Sequence, residues 1–536
     1  LQNHGFPPLQ QTDLLRKRKG GAHISSMCAL FCYLAKKSAH QAFHPRGLYS
    51  FQKSAAQQQR NRQQSMARDI HRKETGRKDS ALPPYFNIDP DAALAELEAP
   101  TSTAGFAGIA EGCARGRADL ASRGLDEEGR KTLRLFSTWE ITRYLIPVAQ
   151  AHFRRVLKAN PELPQGRSET EGGAKWFTLD EVLVLRAHFA AQGSKTKDYI
   201  PYRPKGLPAK MVAVANFKGG VGKTSTAAHL AMSAALDGYK VLVIDLDSQG
   251  SMTSIFGGRV EDEWQTAFPL LARHYGEHLR SENQRRLDRG EAPQPMDDAL
   301  TAAMDMTAAD VIRSTHWPNI DLIGAQLNLY WAEFQIPVWR MAARSWKLWD
   351  ALTDRLEADG ALDQYDVIFI DTPPALGYLT INGLSAADIL LVPMGASFLE
   401  FDSTGRFFDM LHSTFASIEE GENLAARALG RPEMGFEWDA VRAVITRYDS
   451  AQQGELAGLM QAYMGPVLSP HKQDYTALIG QAGEQVSGIY EADYRDFNRE
   501  TYARGRETFD ETYAAFKRLL IGCWRRAEFQ MQSAAE

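Results

Sequence analysis

Between the apolar run Met211 to Ala215 and a helical pattern that begins near Ser225 lies Lys218-Gly-Gly-Val-Gly-Lys-Thr-Ser225. No other segment restricts the fold as strongly. A strand that feeds a glycine-rich turn and then a helix converges backbone N–H groups on one point and adds the partial positive charge of the helix N-terminus. The guest expected there is phosphate. Gly219, Gly220, Val221 and Gly222 offer backbone, Lys223 a point charge for β- and γ-phosphates, Thr224 a hydroxyl for a bridging Mg2+, and Ser225 the start of the helix. The order of strand, loop and helix sets this apart from a glycine-rich turn with incidental lysines.

Two further strand ends carry acids. Lys240-Val-Leu-Val-Ile-Asp245 continues into Leu-Asp247-Ser-Gln-Gly250, and two carboxylates two residues apart at a strand end can converge on one Mg2+–water cluster. Tyr365-Asp-Val-Ile-Phe-Ile-Asp371 is an apolar run ending in one acid, the Walker-B form, so Asp371 is expected to hold Mg2+ through water; Pro373 and Pro374 stiffen the loop behind it. Alternating apolar strands and helical stretches imply an α/β fold, a mainly parallel sheet with helices on both faces. Such sheets bind ligands at the carboxyl ends of their strands, where these motifs fall.

The general phosphate-loop pattern wants glycine five residues before Gly222, but Phe217 stands there, followed by a second lysine, Lys218. The run K-G-G-V-G-K-T resembles the deviant Walker-A loop of the ParA/MinD class of ATPases. That resemblance implies ATP and Mg2+ as cofactors and gives Lys218 a role at the nucleotide of a partner subunit, linking ATP binding to homodimerisation. It also implies that Asp245 supports the metal site while Asp247 orients or activates the attacking water. Ser248 replaces the usual proline after it, which bears on the turn shape more than on the chemistry. Thr446 and Arg447 fall where relatives contact adenine, and either could equally be an ordinary loop residue. Within the class the chain is most similar to the RepA proteins of repABC-type replicons, through Val212-Ala-Val-Ala-Asn-Phe-Lys-Gly-Gly, Thr226-Ala-Ala-His-Leu-Ala231, Leu376-Gly-Tyr-Leu-Thr380 and Thr446-Arg-Tyr448.

The 536 residues, 44% hydrophobic and 24% charged, are enough for several cores, roughly two to four domains. The net charge of −5 names no partner by itself, so basic clusters must be sought locally. No apolar stretch approaches the roughly 20 residues of a bilayer span. Cys28, Cys32, Cys113 and Cys523 are too scattered for a disulfide framework, which points to a reducing cytoplasm. Residues 1–65 are basic and glutamine-rich, with Asp13 the lone acid, and read as a disordered tail or a non-native extension. Residues 66–118 read as a helical or linker region, 119–193 as a helical module, 194–210 as a proline-bearing linker, and 211–536 as the ATPase domain, with an insertion near 257–318.

In the module, Ser137 and Glu140 form one helix-start box and Thr178 and Glu181 another. Helix, turn, helix, wing-like loop and helix resemble the winged, MerR-like helix-turn-helix of the larger plasmid partition ATPases. The resemblance sends the segment with His152, Arg154, Arg155 and Lys158 into a major groove and sets Arg167 and Lys175 on phosphates. A three-helix bundle with a basic face is the alternative, and Pro147 would interrupt a continuous helix. Near the C-terminus Arg495, Arg499, Arg504, Arg506, Lys517, Arg518, Arg525 and Arg526 are candidates for non-specific DNA contact, or else a solvated face with internal pairing.

Together the resemblance implies a cytoplasmic, nucleoid-associated bacterial partition ATPase whose ATP-bound dimer coats DNA. A ParB/RepB-like centromere-binding protein would reset it, and the module would read an operator. No membrane partner is expected. Two alternatives stay open: a MinD-like membrane-associated ATPase anchored by Tyr513 to Arg526, and an ATP-sensing regulator without turnover. Iron–sulfur relatives are excluded because no cysteine lies between Cys113 and Cys523.

Overall fold

The computed structural model describes residues 103–122, 131–168, 170, 173–192, 199–484 and 486–535, and the chain from Ala104 onward forms one compact unit. The expected tail 1–65, Cys28, Cys32, most of 66–118 and the first part of the 194–210 linker lie outside the described residues.

Helix α1 (Thr103–Ser122) runs through the 118/119 boundary proposed from sequence. The module follows. Strand β1 (Phe136–Ser137) leads into a single helical turn, α2 (Thr138–Glu140), that continues as a π-helical Ile141–Leu145. The chain then turns through Ile146 and Pro147 into α3 (Gln150–Ala159), so the proline sits between helices and breaks neither. Strand β2 (Trp176–Phe177) pairs antiparallel with β1, and an isolated antiparallel bridge joins Arg167 to Trp176, before α4 (Leu179–Ala191). Both sequence-predicted capping boxes form: Ser137 with Glu140, and Thr178 with Glu181.

A seven-stranded sheet carries the rest. Its strands are β3 (Lys210–Val214), β4 (Val241–Asp245), β5 (Arg313–Ser314), β6 (Ile320–Ile323), β7 (Val367–Asp371), β8 (Ile389–Gly395) and β9 (Ala440–Thr446), in the order β5-β6-β4-β7-β3-β8-β9. All neighbours are parallel except the short edge pair β5 and β6. The inner strands β4, β7 and β8 are buried and apolar up to their last residues because both faces are covered, whereas the edge strand β5 is polar and exposed. Met211, Ala213, Leu242, Ile244, Ile368 and Ile370 enter one core, while Val212, Val214, Val241, Val243, Val367 and Phe369 enter the other. This is the two-residue alternation of a strand.

The helices that matter for the site are α5 (Lys223–Asp237), α6 (Phe268–Asp288), α7 (Ala332–Ala342), α8 (Tyr378–Ala386), α9 (Phe398–Ala428) and α10 (Arg499–Ala535). Much of the expected insertion is structural. Leu270, Leu271, Tyr275 and Leu279 of α6 are buried in the first core, whereas most of the charged stretch 281–295 is exposed.

The module is not an appendage on a linker. Its Phe136, Phe153, Phe177 and Phe189 share the second core with α5 and α10. Arg186 of α4 pairs with Asp237 at the end of α5 at 2.7 Å, and Lys131 pairs with Glu491 at 2.8 Å.

Candidate functional site

The glycine-rich loop leaves the carboxyl end of β3, a central strand of the sheet. Gly220 (φ 73°) and Gly222 (φ 84°) take left-handed backbone that a residue with a Cβ adopts only under strain. Space above Gly219 and Gly220 is open, with no atom within 4 Å of where a Cβ would stand. Helix α5 then begins at Lys223, two residues before the start expected from its apolar pattern. The result is a cradle with a helix N-terminus beneath it. Val221 is buried and ties the loop down, because the buried Thr446 hydroxyl donates to its carbonyl at 2.7 Å.

Lys223 is buried, and its Nζ lies 3.4 Å from the Lys218 carbonyl. Burial lowers its pKa, and the charges of Asp371 and Asp247 oppose that shift. Both acids are thus near enough for their charge to act on the ammonium. Thr224 and Ser225 are half-buried on the first turn of α5.

Strand register brings the acids together. β7 lies between β3 and β4, and Asp371 is level with Val214 on one side and Asp245 on the other. Both carboxylates are fully buried, and burial pushes both above the usual carboxylate range, each raised further by a neighbouring acid. Their hydrogen bonding differs. Asp245 accepts from Thr253 N at 2.9 Å, Thr253 Oγ1 at 2.8 Å and Asp247 N at 3.1 Å. Neither oxygen of Asp371 receives a hydrogen bond of ordinary geometry from the described residues; the Thr224 hydroxyl is close enough to act as a weak donor, and it and the Lys223 charge pull the Asp371 pKa down. A buried carboxylate this short of donors needs a cationic guest or a proton. Asp247 is half-buried at the start of the next turn, where it accepts from Gln249 N at 3.1 Å.

The predicted residues 218–225, 245, 247 and 371 thus gather at one end of the sheet. Thr446 and Arg447 are there too, with roles the sequence did not indicate. Thr446 is buried, and its hydroxyl proton is given to the loop at the Val221 carbonyl. Arg447 is half exposed and bonds Glu400 at 3.2 Å. Lys218 bonds the same Glu400 oxygen at 3.0 Å. Sequence reasoning missed Glu400, Thr253 and Glu333. Ser397-x-x-Glu400 has the spacing of a helix-start box and could have flagged the first; Glu333 reaches from α7 to accept the Tyr378 and Leu379 N–H groups at the start of α8.

The basic residues of the module form a separate group. Arg154, Arg155 and Lys158 are exposed on α3, with Phe153, Val156 and Leu157 buried on its other face; His152, Arg167 and Lys175 are exposed as well. None of these cationic side chains has an ion-pair partner among the described residues.

The C-terminal cations are partly paired. Arg506 is buried and bonds Asp510 at 3.0 Å, Lys517 pairs with Asp237, Arg525 with Glu528, Arg526 with Asp439, and Arg495 with Asp493. Arg495, Arg525 and Arg526 stay exposed in these pairs, and Arg499, Arg504 and Arg518 are exposed without an ion-pair partner among the described residues, so Arg506 is the one candidate withdrawn from the surface. The apolar face of Tyr513 to Arg526 is likewise used, since Phe516, Leu520, Cys523 and Trp524 are buried in the second core. Among the described residues no helix is long and apolar enough to cross a membrane.

Comparison with known proteins gives consistent matches. A family profile described as an AAA domain matches residues 209–420. The chain is 31% identical over 415 residues to a protein of Sinorhizobium fredii carrying the name replication protein A, covering 76% of this chain and 91% of that protein. It is 33% identical over 196 residues to the chromosome partitioning protein ParA of Caulobacter vibrioides, covering 36% of this chain and 59% of that one. A solved structure titled as a partition protein aligns with 77% of this chain and 98% of its own, at 17% identity and a TM-score of 0.48.

Proposed function

This chain belongs to the ParA class of deviant phosphate-loop partition ATPases, close to RepA, and from that premise we propose that it hydrolyses ATP with Mg2+ to drive DNA segregation. The observation that carries the reading is Asp371, a buried carboxylate with neither oxygen given a hydrogen bond of ordinary geometry, level with Asp245 and within reach of the Lys223 charge. Mg2+ is held largely by phosphate oxygens and water with one or two side chains. Thr224 and Asp371 would hold it here, and bound Mg2+ would neutralise charge on the β- and γ-phosphates.

Within the chain, Gly219 to Thr224 bind the phosphates and Lys223 balances their charge. Asp245 stiffens the turn that carries Asp247, and Asp247 orients the attacking water. Lys218 reaches the nucleotide of a second copy, so the dimer depends on the γ-phosphate and hydrolysis dissolves it. Exposed Trp331, Phe334, Phe398 and Leu399 fit burial against another subunit. Arg447 is the remaining candidate for adenine.

DNA is the surface on which this cycle runs. The α3 face with Arg154, Arg155 and Lys158 reads an operator in the major groove, Arg167 and Lys175 of the wing contact phosphates, and the dimer binds DNA without sequence preference. A ParB/RepB-like protein stimulates hydrolysis. The chain acts in the cytoplasm on the nucleoid and represses its own operon.

The test is DNA-stimulated ATP hydrolysis by the purified chain, with gel shifts against its upstream operon DNA in ADP and ATP. Full stimulated turnover by Lys223→Ala would overturn the assignment.

A further inference from the structure

Glu400 stands in the first turn of α9, where the Ser397 side chain accepts its N–H at 3.3 Å. An acid at that position is favourable for the helix by itself. This one does more. Its side chain is only 9% exposed, and one oxygen, Oε1, accepts from Lys218 Nζ at 3.0 Å and from Arg447 Nη2 at 3.2 Å. The two cations come from the phosphate loop and from the loop after β9.

Two backbone features serve the same contact. A Cβ on Gly395, at the end of β8, would overlap Glu400 Oε2, so the carboxylate lies against bare backbone there. Arg447 has a φ of 51°, one of two non-glycine residues with positive φ among the described residues, and that uncommon backbone carries its guanidinium toward Glu400.

We propose that Glu400 is a positioning residue that keeps Lys218 and Arg447 on their own chain and yields Lys218 when a second, nucleotide-loaded copy offers a phosphate. The inference rests on the dimeric reading of the site given above. A lysine 40% exposed and paired to a carboxylate is held weakly, so the contact delays release without preventing it. Phosphate, with greater charge, is the stronger competitor for a point cation. Because Arg447 shares the oxygen, the carboxylate keeps a partner after Lys218 leaves.

The test is dimerisation measured by sedimentation over a protein titration at fixed, subsaturating ATP and, separately, ADP. Glu400→Gln is expected to halve its monomer at roughly five-fold lower protein concentration than wild type. Gly395→Ala, which displaces the carboxylate without altering it, is expected to shift the same way, and Glu400→Asp to remain near wild type. In a Lys218→Gln background, Glu400→Gln should change nothing. If wild type dimerises on ATP but both displacing variants match it, or dimerise more weakly, the positioning role is wrong. Persistence of the shift without Lys218 would overturn it equally. If wild type itself does not dimerise on ATP, the reading of the site fails and this inference falls with it. Thermal melts of each variant check folding; should Glu400→Gln not fold, Gly395→Ala decides.

Discussion

Asp245 and Asp371 are register partners at the ends of β4 and β7, yet Asp245 receives three hydrogen bonds from its own chain and Asp371 none of ordinary geometry from the described residues, with the Thr224 hydroxyl alone near it as a weak donor. Neighbouring carboxylates in the same buried layer therefore do different work. One organises the turn, and the other is left for a cationic guest.

Substitution should separate them. Asp245→Ala leaves the Thr253 and Asp247 donors unsatisfied and is expected to cost about 2 to 4 kcal/mol of stability. Asp371→Asn removes a buried, unpaired charge and should leave stability unchanged or raised. It should also abolish the Mg2+ dependence of ATP binding. Thermal unfolding without nucleotide, and ATP titrations with and without Mg2+, measure both effects.

Acid sensitivity is expected at His229, one turn along α5 from Ser225. The ring is stacked 3.9 Å from Phe509, accepts Ile489 N–H at Nε2 and faces the Ser225 carbonyl through Nδ1. Burial pulls its pKa down to about 4, against smaller opposing effects of the Ser225 carbonyl and Glu491. The folded chain thus holds this ring neutral while the unfolded chain protonates near pH 6.5. The His229 contribution to stability should fall by about 3 kcal/mol as pH drops from about 6.5 to about 4, while the raised carboxyls of Asp245 and Asp371 act in the opposite direction. The difference in urea midpoint between wild type and His229→Gln should therefore shift against wild type as pH falls across that window.

The α3 surface should bind DNA through charge. Arg154→Glu, Arg155→Glu and Lys158→Glu together are expected to weaken operator binding and to reduce the salt slope by about 0.9 for each phosphate no longer neutralised. Because all three side chains are exposed, stability should shift by less than about 1 kcal/mol. Gel shifts at several salt concentrations supply the slope, and urea midpoints the stability.

Helix α10 should behave as core rather than as a membrane anchor. Trp524 is fully buried near Tyr239, and Trp524→Ala is expected to cost about 3 to 5 kcal/mol. The wild-type chain should not float with anionic vesicles in ATP or ADP. Chemical denaturation and flotation check the two statements.

Much of the site was legible before any coordinates. The phosphate loop, the three acids and both capping boxes are local patterns in which a few adjacent residues carry the chemistry, and strand periodicity placed them at strand ends. Less legible was anything set by contacts between distant segments. The C-terminal cations read equally as a DNA-contacting surface or as a solvated face with internal pairing, and only the packed chain sets Lys517 on Asp237 and Arg526 beside Asp439. Thr446 read equally as a base contact or an ordinary loop residue, and no local pattern showed that its hydroxyl would donate to Val221.

The sequence by itself determined a nucleotide-type phosphate loop with its lysines, the acids that accompany it, and the mainly parallel α/β frame, because these depend on residue type at short spacing. Tertiary structure decided which acid is left short of donors, which cations remain exposed, and that the segment from Phe136 to Phe189 shares a core with α5 and α10. It also brought Glu400 onto Lys218 from 182 residues away. Hydrogen-bond saturation and burial are properties of the packed chain, and no local pattern encodes which partner a side chain will meet.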